Sequence, residues 1–235
     1  MAEWIFVLIV FLANVVEGIT GFAGTMLAMP AAMLLIGVDE AKIILNMVAI
    51  LVSMNIAIRN YRDMDKKQAA KLIFLMILGM AAGLRLYEMM PARLLMSAYG
   101  VLIILVALRG LFKKKEREFH KGVLICVVLL AGLIHGMFLS GGSLLVIYAV
   151  AVLKDKSVIR ATLAPVWIVL NGIMLVRHVI EGSVDAGILR LTGMCVAPVV
   201  LALILGQMLH QRIKQEFFVK LTYILLIVSG CILLV

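Results

Sequence analysis

Apolar residues run along this chain in long blocks, at about 4–37, 43–58, 70–90, 94–111, 122–153, 157–176, 186–209 and 217–235, with short polar stretches between them. A helix that crosses a bilayer needs roughly 20 apolar residues. The pattern therefore predicts an all-α polytopic membrane protein with about eight hydrophobic segments. Two blocks are too long for one crossing, and glycines interrupt both: the first at 18–24, the second at 136–142. Each reads as a broken, re-entrant hairpin of two short helices.

The two broken blocks also look like copies of each other. "EGITGFAGTMLAMP" begins at Glu17 and "HGMFLSGGSLLVIY" at His135. A constant shift aligns them without a gap, placing Gly18 on Gly136, Gly24 on Gly142, Thr25 on Ser143, Lys42 on Arg160 and Arg59 on Arg177. Further on the second half gains about five residues after Arg177, and the registers meet again at Gly83 and Gly206. This divides the chain into a first transmembrane repeat, 1–111, a basic cytoplasmic linker, 112–121 ("FKKKEREFHK"), and a second repeat, 122–235. Paired interruptions at matching places in two halves are the sequence pointer to a transporter binding site.

Composition supports lipid as the solvent. The chain has 235 residues and is 65% hydrophobic, whereas a soluble domain is about 45–50% apolar. A net charge of +9 would suit nucleic acid, but the basic residues lie between apolar blocks, which is the pattern that orients membrane proteins. The N-terminus carries Glu3 where a signal peptide would be basic, so it reads as a retained segment. Cys126, Cys195 and Cys231 are scattered and lack metal-ligand spacing. No nucleotide-binding loop, hydrolase triad or metal cluster is visible, so neither cofactor nor catalysis is expected.

Charge sets the topology. If both broken blocks return to the side they entered from, the loops at 59–71, 109–121, 154–160 and 210–220 share the cytoplasmic side and hold 17 of the 22 basic residues. If both cross once, the split is 13 against 9. The first count fits the positive-inside rule better. It also gives the halves opposite orientation, an inverted repeat.

Candidate chemistry gathers at the breaks. A broken helix is tolerated in a membrane where it is buried in protein or lines a wet cavity. The helix after the first break would present free N–H groups and a positive dipole end near mid-membrane, an anion site. Gly21, Gly24 and Thr25, and their counterparts Ser140, Gly141, Gly142 and Ser143, are the substrate-binding candidates, with Thr25 able to cap the helix or bind a substrate oxygen. Inverted symmetry would bring the two helix starts toward one point. Glycine-mediated helix packing is the alternative reading. Glu17 and His135 are equivalent ionisable positions inside apolar sequence and are proton-coupling candidates; a neutral histidine bonded to a backbone carbonyl and a glutamate near the end of a short helix are the alternative readings. Asn46 and Asn171 can reach a central cavity or bond one helix to another, and Ser53 is similar. Pro165 is expected to break its span and Pro198 to kink another. Arg59 and Arg177 are anion-entrance candidates, with interfacial snorkelling as the alternative. Trp167 suits an interfacial or packing role. His120, His178 and His210, at span ends, are expected to be solvated.

The motifs "GITGFAGTMLAMP", "GMFLSGGSLLVIY", "LGMAAGLRL" and "ILGQMLHQRI" resemble the TauE/SafE family of sulfite and organosulfonate exporters over nearly the whole chain. Family members carry a glycine-rich stretch followed by proline in both halves; here Pro30 stands in the first half and Tyr148 in its place in the second. The resemblance implies transport of small sulfur-containing or carboxylate anions across the plasma membrane. It also implies that Gly21, Gly24, Thr25, Gly141, Gly142 and Ser143 form the substrate-site backbone. The expected function is a secondary transporter working by alternating access, with proton coupling as an option. A passive anion channel is the alternative, since paired half-helices also build pores. An intramembrane enzyme or an assembly factor is the more distant rival. The expected partners are a small anion and the lipid bilayer, and no nucleic acid. The sequence leaves the oligomeric state open, a homodimer included.

Overall fold

A computed structural model describes residues 2–89 and 120–234, with isolated positions between them. The linker at 112–121 lies outside the described residues apart from its last two, as do Arg93 and Arg109. Nine α-helices are described: α1 (Ala2–Thr20), α2 (Gly24–Ile36), α3 (Val38–Arg59), α4 (Lys66–Met89), α5 (Lys121–Phe138), α6 (Gly142–Val152), α7 (Lys156–Ile180), α8 (Ala186–Arg212) and α9 (Gln215–Leu234). A 3₁₀ turn, Tyr61–Asp63, joins α3 to α4, and no strand occurs among the described residues.

Six of these helices (α1, α3, α4, α5, α7 and α8) are long and apolar enough to cross a membrane. In lipid, backbone groups have no water to bond, so helices that satisfy their own N–H and C=O groups are the economical solution. α2 and α6, at 13 and 11 residues, are about 20 and 16 Å long at 1.5 Å per residue, too short to cross. The breaks fall where glycine permits them, at 21–23 and 139–141. Each hairpin therefore has one long and one short arm. α1, at 19 residues, is about 28 Å long and matches the hydrocarbon thickness by itself. The first break thus closes a full-length span; it does not divide a span into two equal halves. The loops expected at 37–42 and 154–160 shrink to one residue, Gly37, and to 153–155.

Pro165 does not break its span: α7 runs unbroken from Lys156 to Ile180, and α8 likewise continues through Pro198. A proline removes one N–H and leaves the rest of the hydrogen-bond ladder intact, and packing against neighbouring helices maintains the helix.

The chain folds into two compact units that mix its halves. One comprises Met1–Ile73 with Ser157–Arg212, the other Phe74–Lys156 with Ile213–Val235. In the first, α1 packs along α2 and α8, and α3 lies against α2 and α8. α1 and α8 approach until their backbones touch: a Cβ on Gly206 would lie 2.8 Å from the Val15 carbonyl oxygen and closer still to Gly18 Cα. In the second unit, a Cβ on Gly83 of α4 would collide with the Leu133 carbonyl of α5. Gly83 is the counterpart of Gly206, and Leu133 that of Val15. The same glycine-to-carbonyl contact is thus made twice, once in each unit, by positions the repeat relates. Small residues permit this close approach, which gives helices in lipid their van der Waals and dipolar contact. An edge-to-face contact of Tyr87 with Phe138, ring centroids 5.8 Å apart, adds to the α4–α5 pair.

Candidate functional site

The first break is a tight reversal built on backbone. α1 ends with the Gly21 N–H donating to the Glu17 carbonyl at 2.6 Å. Gly21 then takes φ +83°, a left-handed conformation that favours glycine over residues with a Cβ. Trp167 of α7 pins the turn, its indole N–H donating to the Gly21 carbonyl at 3.0 Å. The side chain read as interfacial or packing is therefore a buried support of the break. A burial of tryptophan with its N–H satisfied is the usual arrangement for this amphipathic ring.

α2 begins at Gly24. Its N-cap residue, Ala23, supplies no capping side chain. The Glu17 carboxylate does this work, accepting hydrogen bonds from the backbone N–H groups of Gly24 and Thr25. A Cβ on Gly24 would occupy the space of that carboxylate. Glu17 is only 4% exposed, and the helix N-terminus it meets offers both free donors and a positive dipole end. The sequence offered this helix start as an anion site, with Thr25 either capping it or binding a substrate oxygen; the group that meets these amides in the structure is the Glu17 side chain. Thr25 itself is half-buried.

α7 brings three more groups to this unit at positions 160, 167 and 171, spacings that share one helix face. Arg160 packs on the turn: a Cβ on Gly21 would lie 2.9 Å from Arg160 Cγ. Its Nη1 donates to the Gln207 side-chain oxygen of α8, and its Nε has no hydrogen-bond partner among the described residues. Arg160 is 2% exposed. The charge count had assigned it to a cytoplasmic loop; the structure places it inside α7. Its signal in the sequence was a basic residue followed at once by an unbroken apolar run. Asn171 accepts from Asn46 Nδ2 of α3 at 3.1 Å through its carbonyl, so the two asparagines bond helix to helix. The Asn46 Oδ1 and the Ser53 hydroxyl, both buried, have no partner among the described residues.

The second break reproduces the backbone with other side chains. Leu139, the counterpart of Gly21, also adopts a left-handed conformation, φ 55°, and its N–H donates to the His135 carbonyl at 2.9 Å. Ser140 donates to the Phe138 carbonyl at 2.9 Å. His135 is buried. A Cβ on Gly141 would meet the Ala131 carbonyl and His135 Cβ, so this glycine lets α6 return close against α5. Gly142 opens α6 and is buried; the Ser143 side chain lies outside what is described.

The other candidates are dispersed. Arg59 is exposed in the last turn of α3. Arg177 forms an i,i+4 ion pair with Glu181 at 2.6 Å, with both side chains substantially exposed, and such surface pairs contribute little. His120 is exposed and His178 half-buried. His210, expected in solvent, is buried, with Nδ1 2.7 Å from the Ile19 carbonyl: the end of α8 packs on the end of α1, and the span end is covered by protein. Among the described residues no group of three His, Cys, Asp or Glu side chains is placed to hold a metal.

Six membrane-length helices and two hairpins with buried, polar breaks define a multi-pass membrane protein. The profile of the sulfite exporter TauE/SafE family matches residues 6–233, and the chain belongs to that family, whose members are transporters. No curated protein and no solved structure gives a significant match.

Proposed function

We propose that the protein is a secondary transporter of small sulfur-containing or organic anions, sulfite and sulfonates foremost, which carries them across the plasma membrane by alternating access. The observation that carries this reading is the α2 start, where buried backbone N–H groups and a helix dipole already hold a carboxylate. An oxyanion in a membrane protein needs such donors because no bulk water is there to solvate it. Gly21, Gly24 and Thr25 form the seat, and Glu17 is the internal anion that must leave it before a substrate can use the same amides. Protonation of Glu17 weakens its hold on the amides, so Glu17 is the leading candidate for proton coupling. Ser140, Gly141, Gly142, Ser143 and His135 are the corresponding candidates in the other half. The inverted orientation of the halves rests on the distribution of basic residues; single cysteines at Gly37 and Lys154 should be labelled from opposite sides of the membrane.

Counterflow in proteoliposomes tests the carrier reading. Unlabelled sulfite inside should accelerate entry of labelled sulfite. Entry that ignores internal sulfite would identify a channel, and no entry of sulfite, sulfonates or short carboxylates would remove the transport reading.

A further inference from the structure

Arg160 is a buried cation. It forms no ion pair among the described residues, and the neighbouring charge that acts on it is another cation, Arg59. Among the described residues its side-chain hydrogen bond goes to a neutral amide, Gln207. Its buried Nε has no acceptor among the described residues. Buried guanidinium groups are expensive unless paired, and ionisable groups inside membrane helices mark substrate paths. The side chain stands directly against Gly21, at the turn whose following helix start is the proposed anion seat. Glu17, buried at the same turn, does not pair with it; that carboxylate is turned to the α2 amides. The turn therefore carries a cation with donor capacity to spare.

We propose that Arg160 is the residue that pairs with the charge of the carried anion, its unoccupied Nε edge donating to oxygens of a sulfite- or sulfonate-type group. This rests on the transporter reading above and names the group that selects for negative charge. A guanidinium presents neighbouring N–H donors in a fixed plane, which fits two oxygens of one oxyanion and distinguishes it from a point charge such as lysine. Gln207 holds the Nη1 side and so fixes the plane of the group.

The test combines binding with transport on the full-length protein. Wild-type protein in detergent should show a higher apparent melting temperature with sulfite, since ligands that bind the folded state stabilise it. Arg160→Gln should lose that sulfite-dependent shift while its melting temperature without sulfite stays at or above the wild-type value, because removing an unpaired buried charge does not weaken the fold. Arg160→Lys should keep the fold and raise the KM for sulfite by about tenfold or more, as expected for loss of a planar donor pair to a buried charge. Arg190→Gln, which removes an exposed pair with Glu3, should leave KM unchanged. A wild-type sulfite shift in Arg160→Gln, or a wild-type KM in Arg160→Lys, would overturn the assignment while leaving the transporter reading intact. If Arg160→Gln does not fold, the KM of Arg160→Lys decides. Failure of the wild type to bind or carry any of these anions would overturn both.

Discussion

The two breaks share a backbone and differ in chemistry. Gly21 and Leu139 stand at equivalent positions, both left-handed, and both follow a helix whose last turn carries an ionisable residue. At the first, a carboxylate reaches forward to cap α2 and a tryptophan from α7 secures the turn. At the second, Ser140 bonds back to its own helix and Gly141 packs against the backbone of α5. The obstacle that a Cβ would meet is a movable side chain at Gly24 and an immovable backbone carbonyl at Gly141. The same backbone reversal thus serves polar chemistry at one break and close packing at the other.

That contrast is open to attack by substitution. The largest effect is expected for Gly141→Ala, which must push α6 away from the Ala131 carbonyl; overpacking of this kind costs about 3 kcal/mol, and the yield of folded protein and its melting temperature should both fall. Gly24→Ala should be milder for the fold and harsher for function, displacing the Glu17 carboxylate and cutting sulfite uptake while melting changes less than in Gly141→Ala. If the two variants lose stability equally and uptake per folded molecule is unchanged, the breaks do not differ as described. Trp167→Phe leaves the Gly21 carbonyl without its donor in a buried place, a loss of about 1–3 kcal/mol, readable as a lower melting temperature. Leu139→Gly relieves a left-handed leucine, worth about 1 kcal/mol, but empties a core position worth about 2–5 kcal/mol, so the melting temperature should fall; a rise would mean that the conformation costs more than the packing contributes. Glu17→Gln, the smallest in stability, keeps an acceptor for the amides but cannot titrate. Uptake by the wild type should rise as pH falls, and this variant should lose that dependence.

The sequence disclosed the membrane class and both break points, because each rests on local properties: long apolar runs and glycine clusters. It placed Arg160 in a loop because charge counting treats every basic residue near a span end as solvated, and only packing shows that the end of α8 and the turn after α1 cover it. The same blindness put His210 in water and left Trp167 undecided between an interface and the packed interior. Thr25 was read as able to cap α2 because N-caps are normally supplied by adjacent residues, whereas Glu17 reaches the α2 amides from the preceding helix. Pro165 looked like a break because propensity rules from water overstate its effect in a packed membrane helix. The pairing of Gly206 with Val15, and of Gly83 with Leu133, follows from tertiary contact and could not be read from either half alone.

Whether a small oxyanion is held at the turn between α1 and α2 can be seen in a cryo-electron microscopy map of the protein with sulfite. New density is expected within hydrogen-bonding distance of the Gly24 and Thr25 amides, with the Glu17 carboxylate withdrawn from them. Clear sulfite density elsewhere, with Glu17 still seated on those amides, would contradict it.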